Sequence, residues 1–139
     1  MAVTVRAVEY FHVTVERGAA EASRLLSTIA AAGVNLLVFN AVPTGTSHTE
    51  LVLFPDKPDE LARAVERLGL TLTAPEKALL VQGDDRLGAV AEIYAKLASV
   101  HADVYASYGV TDGRGGFGYV LYVRQKDFRI AAEALGVSA

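Results

Sequence analysis

The chain has 139 residues, 52% apolar and 21% charged, with a formal net charge of −3 at pH 7. This composition is that of an ordered globular chain, and a small negative charge without a basic block excludes nucleic-acid binding by release of phosphate counterions. There is no Cys, which excludes disulfides, thiol catalysis and Cys-ligated zinc.

The N-terminal stretch MAVTVRAVEYF lacks the basic start, long apolar core and cleavage site of a signal peptide, and no apolar run reaches membrane-spanning length. The expectation is a cytoplasmic protein without membrane contact. In chain order, Ala2 to Val8 alternates at Val3 and Val5 and predicts a strand of its own. Tyr10 to Glu16 predicts a second, with Phe11, Val13 and Val15 on one face. A helix follows Gly18 and runs to about Ala32, closed by Gly33. Val34 to Val42 and Thr49 to Phe54 predict strands on either side of a turn at Pro43–Thr46. Pro58 opens a helix with Leu61, Val65 and Leu68 inward, ending at Gly69. Leu70 to Thr73 predicts a short strand, and Pro75 marks a boundary.

The order then recurs. Ala78 to Gln82 predicts a strand, Gly83 breaks it, and Asp84 and Asp85 offer side-chain oxygens to cap a helix from Arg86 to Val100. Val90, Ile93, Tyr94, Leu97 and Val100 form its predicted buried stripe. Strands at Val104–Val110 and Tyr119–Arg124 flank the loop Thr111–Gly118, and a last helix carries Phe128, Ala131 and Leu135 before Gly136. The first helix unit, Glu16 to Leu36, aligns with the second without a gap at an offset of 68 residues, Leu25 on Ile93, Ile29 on Leu97, Asn35 on Asp103 and Leu36 on Val104. A repeat this long is two copies of one small domain rather than a solenoid.

Each copy reads β-α-β-β-α-β. The predicted fold class is α+β: two ferredoxin-like units side by side, antiparallel sheets with helices on one face. Unit 1 covers residues 1–74. Unit 2 covers residues 75–139, its fourth strand missing or supplied by the N-terminus. The second strands, Val34–Val42 and Val104–Val110, are expected to meet.

The turn Asp85-Arg86-Leu87-Gly88 resembles the D-R-P-G turn of the ACT domain, with Leu in place of Pro, and Gly33-Val34-Asn35-Leu36 resembles the G-V-N-I start of that domain's second strand. The resemblance covers essentially the whole chain as two copies, so the chain looks like a free-standing tandem ACT protein. It departs from the pattern at Ala20, which replaces the motif glycine in copy one, and at His101-Ala102-Asp103 in copy two. The resemblance implies a non-catalytic regulatory protein that binds a small molecule, an amino acid, and controls an enzyme; a homodimer or higher oligomer is expected from the tyrosines of copy two. The resemblance implies no cofactor. The ligand-binding residues it marks are Gly83, Asp84, Asp85, Arg86, Leu87, Gly88, Asn35 and Leu36, with a second site at Arg17, Gly18, Ala19, Ala20, Asp103 and Val104. A helix N-terminus favours a carboxylate, Asp84 or Asp85 suits an ammonium, Asn35 offers both a donor and an acceptor, and Gly88 leaves room for approach.

Other motifs carry less. His12, His48 and His101 lie in unlike contexts and define neither a metal nor a catalytic site. No Ser has a nucleophile-elbow context. Thr111–Gly118 lacks the Gly-Lys-Ser/Thr of a phosphate loop and reads as a hairpin loop. Tyr105, Tyr108, Tyr119 and Tyr122 suggest packing against a partner rather than base stacking. The alternative function is an interaction module of the same fold without a ligand.

Overall fold

The computed structural model describes residues 3–137. Its elements are β1 (Thr4–Glu16), α1 (Ala20–Ala31), β2 (Leu36–Thr44), β3 (His48–Pro55), α2 (Pro58–Arg67), β4 (Glu76–Asp84), α3 (Ala89–Ser99), β5 (Val104–Thr111), β6 (Gly116–Val123), a 3₁₀ turn at Gln125–Asp127 and α4 (Phe128–Ala134). Contacts divide the chain into two compact units, Glu9–Glu76 and a C-terminal unit made of the chain up to Val8 and from Lys77 onward.

In the Glu9–Glu76 unit the strand order is β2-β3-β1. β1 pairs antiparallel with β3, Val13 opposite Leu51, and β3 pairs antiparallel with β2. Phe11, Val13 and Val15 of β1 and Leu51 and Leu53 of β3 alternate toward one face, where they pack with Leu25 and Ile29 of α1 and Leu61, Ala64 and Val65 of α2. Period two on the strands meets period 3.6 on the helices, which places both helices on that face.

The C-terminal unit has the order β1-β4-β6-β5, with its helices over Leu79, Val81, Leu121 and Val123. The outer place beside β4 belongs to the first part of β1, where Thr4 Oγ1 donates to the Gln82 carbonyl at 3.3 Å and Val5 packs on the core. Both units are thus ferredoxin-like, with antiparallel sheets and helices on one face.

Four expectations change. The N-terminal strand is not separate: β1 is one continuous strand of 13 residues, and Ala2 lies outside the described residues. Residues 70–73 form no strand. That segment is held by Thr73, whose amide donates to the His12 carbonyl at 3.3 Å and whose Oγ1 accepts from the His12 amide at 2.9 Å, while Leu70 and Leu72 pack on the core. The second strands do not pair, because β2 has β3 and β5 has β6 as neighbour, which leaves each at an edge. Finally, the buried stripe of α3 is Ala89, Ile93 and Leu97, whereas Val90 and Tyr94 are 41% and 37% exposed.

Candidate functional site

β4 ends in the turn that the sequence singled out. Gly83 pairs with Phe117 and Asp84 with Gly116, and the Asp85 amide extends the ladder by donating to the Gly115 carbonyl at 2.8 Å. Asp84 and Asp85 therefore finish a strand and do not cap the helix, which begins at Ala89 with no side-chain cap. The residue before it, Gly88, has φ +82°, and a Cβ placed there meets no atom within 4 Å. The glycine is required by the left-handed backbone that swings the chain from strand into helix, rather than by crowding.

Arg86 reaches forward to the Glu92 carboxylate. That hydrogen bond, followed by the charge attraction, raises the Arg86 pKa and lowers that of Glu92. Both side chains are largely in water, so the pair positions the guanidinium more than it stabilises the fold. Leu87 is fully exposed.

Beside this turn lies a cleft of ≈ 330 Å³ within the C-terminal unit. Asp85 and Arg86 border it. Its other walls are Ala89 and Val90 from the first turn of α3, Gly109, Val110 and Thr111 from β5, and Phe117, Gly118 and Tyr119 from β6. β5 and β6 pair through the hairpin at 112–115, with Gly109 opposite Tyr119 and Thr111 opposite Phe117. Asp112 fixes that hairpin: its Oδ1 accepts from the amides of Arg114 at 2.6 Å and Gly116 at 3.0 Å, which holds its carboxyl below the ordinary aspartate range. The Thr111–Gly118 stretch is thus a hairpin and not a phosphate loop.

Tyr119 is held from two sides. Its ring lies over Gly109, its hydroxyl is 3.2 Å from Ser107 Oγ, and Ser107 Oγ is 2.8 Å from the Tyr94 hydroxyl. Burial, opposed by the hydrogen bond with Ser107 and reinforced by Tyr94, raises the Tyr119 pKa. Among the lining side chains the charged groups are Asp85 and Arg86, and among the described residues no cluster of His, Asp and Glu could hold a metal. The arrangement suits recognition of a small zwitterion with an apolar part.

Val104 begins β5, with Asp103 just before it, at the far end of the strand from the cleft. The Asp103 amide donates to Asp127 Oδ2 at 2.9 Å, and its carboxylate meets Arg124 Nε at 3.3 Å. The other unit repeats this handover. The Asn35 amide donates to Asp56 Oδ1 at 2.9 Å, the Asn35 carbonyl accepts from the Asp56 amide at 2.9 Å, and Leu36 opens β2 opposite Pro55. Arg17 is tied to the β2–β3 turn, its guanidinium to the Thr46 carbonyl at 2.9 Å and its amide to the Ser47 carbonyl at 2.9 Å. Gly18 has φ +95°, Ala19 precedes α1 without a side-chain cap, and Ala20 is its first residue. Arg17–Ala20 and Asn35–Leu36 thus stand at opposite ends of β2. The strand pairing that was to bring Asn35 to the Gly83–Gly88 turn does not form.

The four-tyrosine set also separates. Tyr119 faces α3, whereas Tyr105 and Tyr108 gather around Tyr122 at ring distances of 6.3 and 5.8 Å. Sequence reasoning missed the β5–β6 wall of the cleft. Its one signal was Gly109, a glycine inside a strand, which commonly marks close approach of a neighbour.

No protein-family model and no curated protein matches the sequence. Solved structures do. A protein from Bacteroides thetaiotaomicron aligns with a TM-score of 0.79 at 13% identity, over 94% of this chain and 88% of that one. The ligand-free regulatory subunit of aspartate kinase from Thermus thermophilus aligns with a TM-score of 0.67 at 12% identity, over 96% and 93%. The corresponding subunit from Thermus flavus gives 0.60 at 13% identity, over 96% and 93%. The chain has the tandem ACT-type fold, and the likeness runs over nearly the full length of these chains.

Proposed function

We propose that this chain is a non-catalytic regulatory protein that binds an amino acid in the cleft beside the Gly83–Gly88 turn. The observation that carries the reading is the cleft itself, with one acid and one base at its border and carbon along its walls. A carboxylate fits the Arg86 fork, of whose five donors Glu92 engages part. An ammonium fits Asp85. The fold adds support, since the aspartate kinase chains it resembles are regulatory subunits. On this reading the chain works in the cytoplasm without a cofactor, and its partner is an enzyme whose activity follows ligand occupancy.

An amino acid of about ten heavy atoms at about −0.5 kcal/mol each gives about −5 kcal/mol, or a Kd near 0.2 mM. At 100 times that constant the bound chain gains about 2.7 kcal/mol, which a melting curve resolves. The test is a thermal-shift panel of the amino acids on the full chain, with Arg86→Ala as control. A shift for at least one amino acid, reduced in Arg86→Ala, supports the reading, and a flat panel removes it.

A second reading has an observation of its own. Tyr105 and Tyr108, both 47% exposed, and Val110, 74% exposed, lie on the edge strand β5, where another copy could pair and cover them. Under that reading the chain is an interaction module that forms homodimers without a ligand. Sedimentation at micromolar concentration, with and without the amino-acid panel, separates the two.

A further inference from the structure

The walls of the cleft bear on which amino acid it takes. Two large aliphatic side chains of its lining are exposed, Val90 at 41% and Val110 at 74%. Neither belongs to the core of its unit. On an exposed helix position or an edge strand a polar residue would cost folding nothing, so apolar residues collected at a cavity mark a surface that something apolar covers. Phe117 and the ring of Tyr119 continue that surface inward. The Tyr119 hydroxyl is engaged by Ser107, so the cleft meets the ring rather than a free hydroxyl. The charged groups, Asp85 and Arg86, are adjacent in sequence and border one side.

We infer that the ligand is a free amino acid with a large apolar side chain, branched aliphatic or aromatic. Its ammonium lies at Asp85 and its carboxylate at Arg86, while its side chain packs against Val90, Val110, Phe117 and Tyr119. This rests on the amino-acid reading above and narrows it. The volume of ≈ 330 Å³ is at the small end for ligand pockets and is enough for one amino acid. A lysine or aspartate ligand would carry a second charge into walls that offer it no partner, which is unfavourable. Glycine or serine would leave the apolar walls wet.

The test is isothermal titration of the full chain with Leu, Ile, Val and Phe against Gly, Ser, Lys and Asp. At least one member of the first set is expected to bind tenfold tighter than every member of the second. Val110→Asp, at an exposed position, should keep the circular dichroism of the parent and weaken the apolar ligand at least tenfold; Val90→Lys should do the same. Equal binding of the two sets, or full affinity in both variants, overturns this inference and leaves the amino-acid reading standing. Binding by no amino acid removes that reading as well. If Val110→Asp changes sedimentation but no ligand binds, the surface joins copies of the chain, and the inference fails.

Discussion

Tyr119 rests directly on the backbone of Gly109, its cross-strand partner: a Cβ built on Gly109 would lie 2.5 Å from Cδ1 and 2.9 Å from Cε1 of the ring. The ring cannot give way freely, because its hydroxyl is held by Ser107. Gly109→Ala should therefore destabilise the C-terminal unit by about 1–3 kcal/mol, the usual cost of overpacking. Tyr119→Ala should relieve most of that, so the double mutant is more stable than the sum of the singles predicts. Urea denaturation of the four proteins measures the coupling. Additive singles would mean that the ring and the glycine do not constrain each other.

Acid should unfold the chain partly through Asp127 and Asp112. The Asp103 amide, with Lys126 adding to it, lowers the Asp127 pKa, and the Arg114 and Gly116 amides lower that of Asp112. For a carboxyl whose folded pKa is depressed, the unfolded chain binds protons first. The stabilisation is complete above the unfolded value near 3.9 and is lost as pH falls through the lower folded value. Asp127→Asn and Asp112→Asn should each flatten the loss of stability below about pH 4. Urea midpoints collected between neutral pH and about pH 3 report the slope. A slope unchanged in both variants would assign acid unfolding to other groups.

The helices were legible because their inward positions obey one rule: Leu25 and Ile29 in α1, and Ile93 and Leu97 in α3, are all buried at the predicted period. The length of β1 was not. Val5 and then Phe11, Val13 and Val15 alternate inward at its two ends, but Val8 and Tyr10 are buried at even positions between them, which hides the continuity. Leu70 and Leu72 alternate like a strand and are satisfied by packing instead of a ladder. In the candidate site, the turn is local and therefore visible as a motif. The cleft is not local, since Val90, Val110 and Phe117 meet only after α3 folds onto the β5–β6 hairpin. Val90 shares helical spacing with Ile93 and Leu97, yet it is exposed because Ala89 takes the buried position in the first turn.

Removing residues 2–7 should cost the C-terminal unit far more than a terminal tail is worth. Val3 and Val5 pack on its core, and the first part of β1 occupies the outer side of β4. Losing two half-buried valines and a neighbouring strand amounts to about 3 kcal/mol, and the bared β4 edge invites aggregation. Val5→Asp provides a milder probe at the same contact, for use where the truncated chain aggregates before it can be purified. Light scattering on heating, together with the urea midpoint, reads both effects. A truncation that melts with the parent would make these residues a mere tail.

His101 adopts φ +55°, the left-handed conformation that Gly33 holds at φ +82° at the equivalent place in the other unit. The surrounding hydrogen bonds match. The Gly33 amide donates to Ala30 and the Val34 amide to Ile29, both at 3.0 Å, while the His101 amide donates to Ala98 and the Ala102 amide to Leu97, both at 3.1 Å. Both helices thus end in the same 6→1 closure, which needs a left-handed residue just past the helix. His bears a Cβ penalty there of about 1–2 kcal/mol, offset by the larger backbone entropy that glycine loses on folding, about 0.5–1 kcal/mol. His101→Gly should accordingly stabilise the chain by about 0.5–1 kcal/mol, and His101→Val should destabilise it, since a branched Cβ fits this region worst. The side chain is exposed, so little packing is lost in either change. Equilibrium urea unfolding of the parent and both variants, with equal m-values, tests the ranking Gly above His above Val. A glycine variant weaker than the parent would show that the imidazole makes a contact worth more than the strain it carries.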